Sequence, residues 1–98
     1  MSEGKLTRNI KEYLKERGAY AENIWGGGFQ ASGIPDILAC YNGRFLGLEV
    51  KLDYNSPSPI QKAKLAMINK AGGVGQVVRS VDEVKVILDK LDEGGIAE

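Results

Sequence analysis

Histidine is absent from the chain, and cysteine, tryptophan and phenylalanine are scarce, with one, one and two among 98 residues. Without imidazole, Ser-His and Cys-His nucleophilic systems and zinc sites built on histidine are excluded, which removes most hydrolase chemistries. The single cysteine, Cys40, has no partner for an internal disulfide; it fits a reducing compartment and is expected as a small buried hydrophobe. There is no excess of charge, because thirteen basic residues balance thirteen acidic ones, and the total argues against nonspecific coating of nucleic acid. Long apolar runs are missing too: Met1 to Ile10 has none, and the longer uncharged stretches are broken by glycines. Neither a signal peptide nor a membrane span is expected, and the expected location is cytoplasmic, the host-cell cytoplasm for a viral chain.

What is present is the composition of an ordinary globule, 43% hydrophobic and 27% charged, which fits one domain over residues 1–98 with Gly94 onward frayed. Charge is unevenly spread. Residues 1–79 hold eleven Lys/Arg against seven Asp/Glu, whereas 80–98 hold two against six, so an acidic end masks a mildly basic body.

Leu6, Ile10, Tyr13 and Leu14 recur at helical spacing between Lys5 and Arg17, and Gly18 supplies a stop. Ala19 to Trp25 reads as a strand, followed by a glycine-rich loop from Gly26 to Pro35. Asp36 to Tyr41 and Arg44 to Lys51 are apolar runs around Asn42-Gly43, the dipeptide suited to the two positive-φ positions of a type I′ turn. Asp53 to Pro59 is a loop, Ile60 to Ala71 a helix, Val74 to Arg79 a strand, and Ser80-Val81-Asp82-Glu83 a capping box opening a last helix with the stripe Val84, Ile87, Leu88 and Leu91. The expected fold is α/β, a small mixed sheet flanked by helices in the order αβββαβα.

With imidazole gone, the available chemistry is that of carboxylate, lysine and tyrosine, and carboxylates with lysine point to hard divalent cations and phosphate esters. Alternation in Arg44 to Lys51 puts Leu46, Leu48 and Val50 on one face and Glu49 and Lys51 on the other. Counted outward from the turn, Tyr41 pairs with Arg44 and Asp36 with Glu49. Two carboxylates directly opposite each other repel unless a cation lies between them, and Mg²⁺ or Mn²⁺ suits such oxygens. An exposed strand end with a cross-strand ion pair is the bland alternative.

In this order, Gly33-Ile34-Pro35-Asp36, then Glu49-Val50-Lys51, then Gln61 in the next helix resemble the PD-(D/E)XK (restriction-endonuclease-like) nucleases. More narrowly they resemble the small stand-alone form of the virus-type replication-repair nuclease (VRR-NUC) module. The resemblance implies that Asp36 and Glu49 bind a metal with the Val50 carbonyl, that Lys51 orients or activates water and offsets phosphate charge, and that Gln61 contacts the lysine or the water. Gln61 also completes a capping box with Ser58, so both readings predict glutamine there. Related nucleases often carry a further acidic residue in the first helix; Glu12 is the candidate metal ligand, with Glu16 and simple solvation as alternatives.

Lys5, Arg8, Lys11 and Lys15 on the first helix and Lys62, Lys64 and Lys70 on the second line a DNA backbone or are solvated faces, while Ser32 and Gly33 are placed to shape the approach of a phosphate. Gly28 and Gly33 have the separation of a P-loop, but Ile34-Pro35 stands where Lys-Ser/Thr is needed, so no nucleotide cofactor is expected. Trp25 and Phe29 are read as core and loop anchor rather than base-stacking residues. The resemblance implies a metal-dependent, structure-specific DNA endonuclease acting on branched DNA such as four-way (Holliday) junctions. One site per chain makes a homodimer the expected partner arrangement. A nuclease needing a targeting partner, or a catalytically silent nucleic-acid binding module, is the alternative. The acidic last helix is a protein contact or a solvated face.

Overall fold

The computed structural model describes residues 1–24 and 32–94. The expected strand end at Trp25, the glycines 26–28 and Phe29 lie outside the described residues. Helix α1 spans Glu3–Glu16, opening where the Ser2 hydroxyl accepts from the Lys5 amide at 3.1 Å, two residues earlier than the apolar spacing indicated. It buries Leu6, Ile10 and Leu14 and gives way to Gly18 at φ +90°. Strand β1 is Tyr20–Asn23, starting one residue later than expected.

Strands β2 (Ile37–Tyr41) and β3 (Arg44–Val50) form the expected hairpin, with Asn42 at φ 54° and Gly43 at φ 77°. The register runs from Tyr41 opposite Arg44 to Ile37 opposite Leu48. It stops one step short of the expected Asp36–Glu49 pair, because Asp36 turns its carboxylate onto the Val50 amide. Helix α2 (Pro59–Lys70) crosses over to β4 (Val74–Val78), which pairs parallel with β3. The four strands lie in the order β1-β2-β3-β4, and α3 (Val81–Asp92) completes the order αβββαβα.

One face of the sheet carries Ile37, Ala39, Leu46, Leu48, Val50 and Val78, packed against Leu6, Ile10 and Leu14 of α1 and Val84, Ile87, Leu88 and Leu91 of α3. The other face is covered by α2 over β3 and β4. That helix comes close because Gly47 and Gly75 are paired across the two strands. A Cβ on Gly47 would run into Ile68, and one on Gly75 into the Leu65 carbonyl. Among the described residues no helix covers the half of this face under β1 and β2, and Cys40 lies on it, exposed rather than buried. The expectation failed because strand alternation assigns a face but not what covers it.

Two further departures concern α3. Ser80 caps it, accepting from the Glu83 amide, but the Glu83 carboxylate accepts from the Arg79 amide instead of closing the expected box on Ser80. Asp89 and Asp92 are also engaged: Arg17 donates to Asp89 at 3.0 Å and to Asp92 at 2.9 Å, and Tyr41 and Asn42 donate to the same Asp92. Arg17 also lies over the rings of Tyr13 and Tyr41, tying the ends of α1, the hairpin and α3 together. Among the described residues no helix is long and apolar enough to cross a membrane.

Candidate active site

The site forms where the hairpin's open end meets the first turns of α1 and α2. Gly33, at φ +80°, lets the chain pass so close to Ile60 that a Cβ there would lie 3.0 Å from the Ile60 carbonyl oxygen, and buried Pro35 then delivers Asp36. Gly33 is therefore a packing residue of this turn, while Ser32 beside it is exposed. The Asp36 carbonyl accepts from the Ile24 amide at 2.7 Å, and its carboxylate Oδ2 accepts from the Val50 amide at 2.8 Å. Asp36 and the C-terminal end of β3 are thus fixed to each other.

Glu49 is only 2% exposed and is the one buried charged residue among those described, which rules out the exposed strand end. Its Oε2 accepts from Gln61 Nε2 at 2.9 Å and lies 3.7 Å from Lys51 Nζ. Its Oε1 is buried and has no hydrogen-bond partner. Burial pushes this carboxyl above the ordinary carboxylate range, to about 7; Asp36, by its charge and as acceptor for a protonated Glu49, pushes the same way, as more weakly does Glu3, while the Lys51 ammonium opposes them. Lys51 is mostly covered and is held by its amide donating to the Val78 carbonyl at 3.1 Å.

Gln61 closes the expected cap, and its side-chain amide meets Glu49 rather than the lysine or water that the resemblance implied. Its Oε1 accepts from the Ser58 amide at 2.8 Å, closing the capping box, while its Nε2 reaches Glu49. This is possible because a glutamine amide donates at one end and accepts at the other. The close seat of α2 on Gly47 and Gly75 brings the helix's first turn within reach.

Helix α1 contributes its charges differently from the sequence expectation. The acidic residue that bears on Glu49 is Glu3, in the first turn. Glu3 and Asp36 line one cavity of about 340 Å³ with Thr7, Arg8 and Asn23. Glu12, the candidate ligand, is exposed and lines the adjoining groove of about 350 Å³ with Arg8, Lys11, Lys15, Glu22 and Asn23. Glu3 stands nine residues before Glu12, in the acidic first turn that follows the Ser2 cap. Arg8, Lys11 and Lys15 are brought into one groove leading from the carboxylates. Lys5 and Lys62 are exposed elsewhere on their helices, and Lys64 lines a separate apolar cavity with Phe45, Met67 and Ile68.

The residues fit a hard divalent cation. An orphaned, buried carboxylate oxygen beside a second carboxylate is costly without one. Among the described residues no group of three acidic, cysteine or histidine side chains gathers to enclose a metal alone. Two carboxylates form an oxygen donor set of the kind that hard divalent cations take.

A mixed four-stranded sheet between helices in the order αβββαβα is the core of the PD-(D/E)XK, restriction-endonuclease-like nucleases, and this chain has that fold. Among solved structures, a VRR_NUC domain superposes with a TM-score of 0.70 at 29% identity, covering 93% of this chain and 94% of that one. A second VRR_NUC domain protein superposes at 0.76 and 19% identity, covering 100% and 97%. The Holliday junction resolvase Hjc of Archaeoglobus fulgidus follows at 0.62 and 22%, covering 79% of this chain and 67% of Hjc. No protein-family model and no curated protein matches the sequence. The resemblance to VRR-NUC domains carried by Asp36, Glu49-Val50-Lys51 and Gln61 thus extends to the fold of nearly the whole chain.

Proposed function

We propose that the chain is a divalent-metal-dependent, structure-specific DNA endonuclease, using Mg²⁺ or Mn²⁺, that nicks branched DNA such as four-way junctions as a homodimer. The observation that carries this reading is the buried Glu49 Oε1, left without a partner beside Asp36 and Lys51. Asp36, Glu49 and the Val50 carbonyl would hold the cation, with Glu3 at the rim. When bound, the metal supplies Lewis-acid polarisation of the phosphate and a water of lowered pKa. Gln61 keeps the Glu49 carboxylate oriented through Nε2, so its free oxygen points one way. The Lys51 ammonium lies where it orients the attacking water and offsets charge developing on the phosphoryl oxygens. Arg8, Lys11 and Lys15 outnumber Glu12 and Glu22 in the groove next to the carboxylates, with Lys11 paired to Glu22, which leaves Arg8 and Lys15 to meet a phosphate backbone.

The junction substrate is supported by the similarity to Hjc, and the dimer by symmetry, since a two-fold junction cut at two places needs two sites related by a dyad. The test is cleavage of labelled four-way junction, flap, duplex and single-stranded DNA with Mg²⁺, Mn²⁺ or chelator, by the wild type and Glu49→Ala. Metal-dependent paired nicks in the junction, lost in the variant, are expected. A folded chain that binds these DNAs but cuts none would overturn the reading in favour of a silent binding module or a partner-dependent enzyme. Sedimentation as a monomer at micromolar concentration would remove the dimeric mechanism.

A further inference from the structure

The loop between Lys51 and α2 has no part in the chemistry described above, yet it is tied at several points. Asn55, partly buried within it, donates from its side-chain Nδ2 to Glu3 Oε2 at 2.7 Å. Its own backbone is fixed twice, because its amide donates to the Leu52 carbonyl at 3.0 Å and its carbonyl accepts from Arg79. The same Arg79 nitrogen, Nη1, donates to the Leu52 carbonyl at 2.6 Å and to the Asn55 carbonyl at 2.7 Å. A guanidinium at the end of β4 is thus spent on two backbone carbonyls of a surface loop, with Asn55 and Glu3 next in line.

We propose that Asn55 is a positioning residue of the cation site: its amide holds one oxygen of Glu3 so that the other faces the cavity shared with Asp36, and Arg79 holds the loop that carries Asn55. The proposal rests on the metal-dependent reading above. Glu3 sits in the first turn of α1 on a flexible side chain, and without Asn55 its carboxylate would spread over several rotamers. A neutral amide donor suits the task, since it fixes an oxygen without cancelling the charge a cation needs, as partners of metal ligands commonly do.

The experiment measures Mn²⁺ binding by the full chain without DNA, from the resonance signal of free Mn²⁺, for wild type, Asn55→Asp, Glu3→Gln and the double variant. Asn55→Asp is nearly isosteric and keeps every backbone contact, but turns a like charge on Glu3. It is expected to weaken Mn²⁺ binding about tenfold or more, with the melting temperature in chelator little changed. In the Glu3→Gln background the same substitution is expected to cause no further loss, because the two residues act as a unit. Unchanged Mn²⁺ affinity in Asn55→Asp, or an equal loss in both backgrounds, overturns the positioning role while leaving the nuclease reading intact. A wild-type chain that takes up no Mn²⁺ overturns the metal-dependent reading and the positioning role with it. Arg79→Met, expected to weaken Mn²⁺ binding in the same direction, checks the second link.

Discussion

Glu49 makes the folded chain's stability depend on pH with a sign opposite to that of most carboxylates. Its carboxyl titrates at 4.5 ordinarily and at about 7 in the folded protein, chiefly because it is buried. Between those values the folded chain keeps a proton that the unfolded chain has released, so stability is full below the lower value and falls as pH rises through the upper one. At about 1.36 kcal/mol per pH unit the whole window amounts to about 3 kcal/mol, of which roughly 2 fall between about pH 5 and about pH 7.5. The perturbation is Glu49→Gln, which keeps the shape and cannot ionise. Urea unfolding in chelator at those two pH values, for both proteins, isolates the contribution of this one group. The difference between variant and wild type is expected to shift in the variant's favour by roughly 2 kcal/mol at the higher pH. Adding Mn²⁺ at that pH is expected to restore the wild type and leave the variant behind. A difference that stays constant with pH, or grows at low pH, would refute the placement of an uncompensated carboxylate at this position.

Gln61→Glu keeps the acceptor that caps α2 but sets a carboxylate against Glu49, so junction cleavage is expected to fall about tenfold or more while the melting temperature holds; unimpaired cleavage would dismiss Gln61 from the site. Gly75→Ala forces a methyl into the Leu65 carbonyl and is expected to cost about 1–3 kcal/mol in urea unfolding, with activity falling as α2 lifts Gln61 away. Arg17→Met removes the link among α1, the hairpin and α3, and is expected to lower the melting temperature by a few degrees at low salt and by less at high salt.

Local chemistry was legible in the sequence wherever a short segment determined it. Asn42-Gly43 admits one tight turn, the turn sets the register, and the register carries Asp36 towards Glu49. The pattern also put Gln61 at the cap, where the structure has it, while its contact with Glu49 in place of the lysine depends on how α2 seats on the sheet. The first turn of α1 was not read as helix because apolar periodicity begins at Leu6, while the cap at Ser2 starts the helix earlier. Asn55 and Arg79 gave no signal at all. Their partners lie 52 and 24 residues away in the chain, and nothing in a loop of polar residues says which distant carbonyl or carboxylate it will meet. Cys40 failed for a related reason, since burial depends on how far α2 extends across the sheet.

That exposed Cys40 makes the molecule easy to instrument. It is the only thiol in the chain, so a maleimide dye or a spin label attaches at one place without any engineering. Along an extended strand it stands about 13 Å from Asp36, at the hairpin's turn end, while the carboxylates sit at the open end. A probe there is separated along the strand from the carboxylates. In an assembly of two copies, the distance between two such probes gives the arrangement of the sheets directly, and its change on adding a junction gives the motion that accompanies DNA binding.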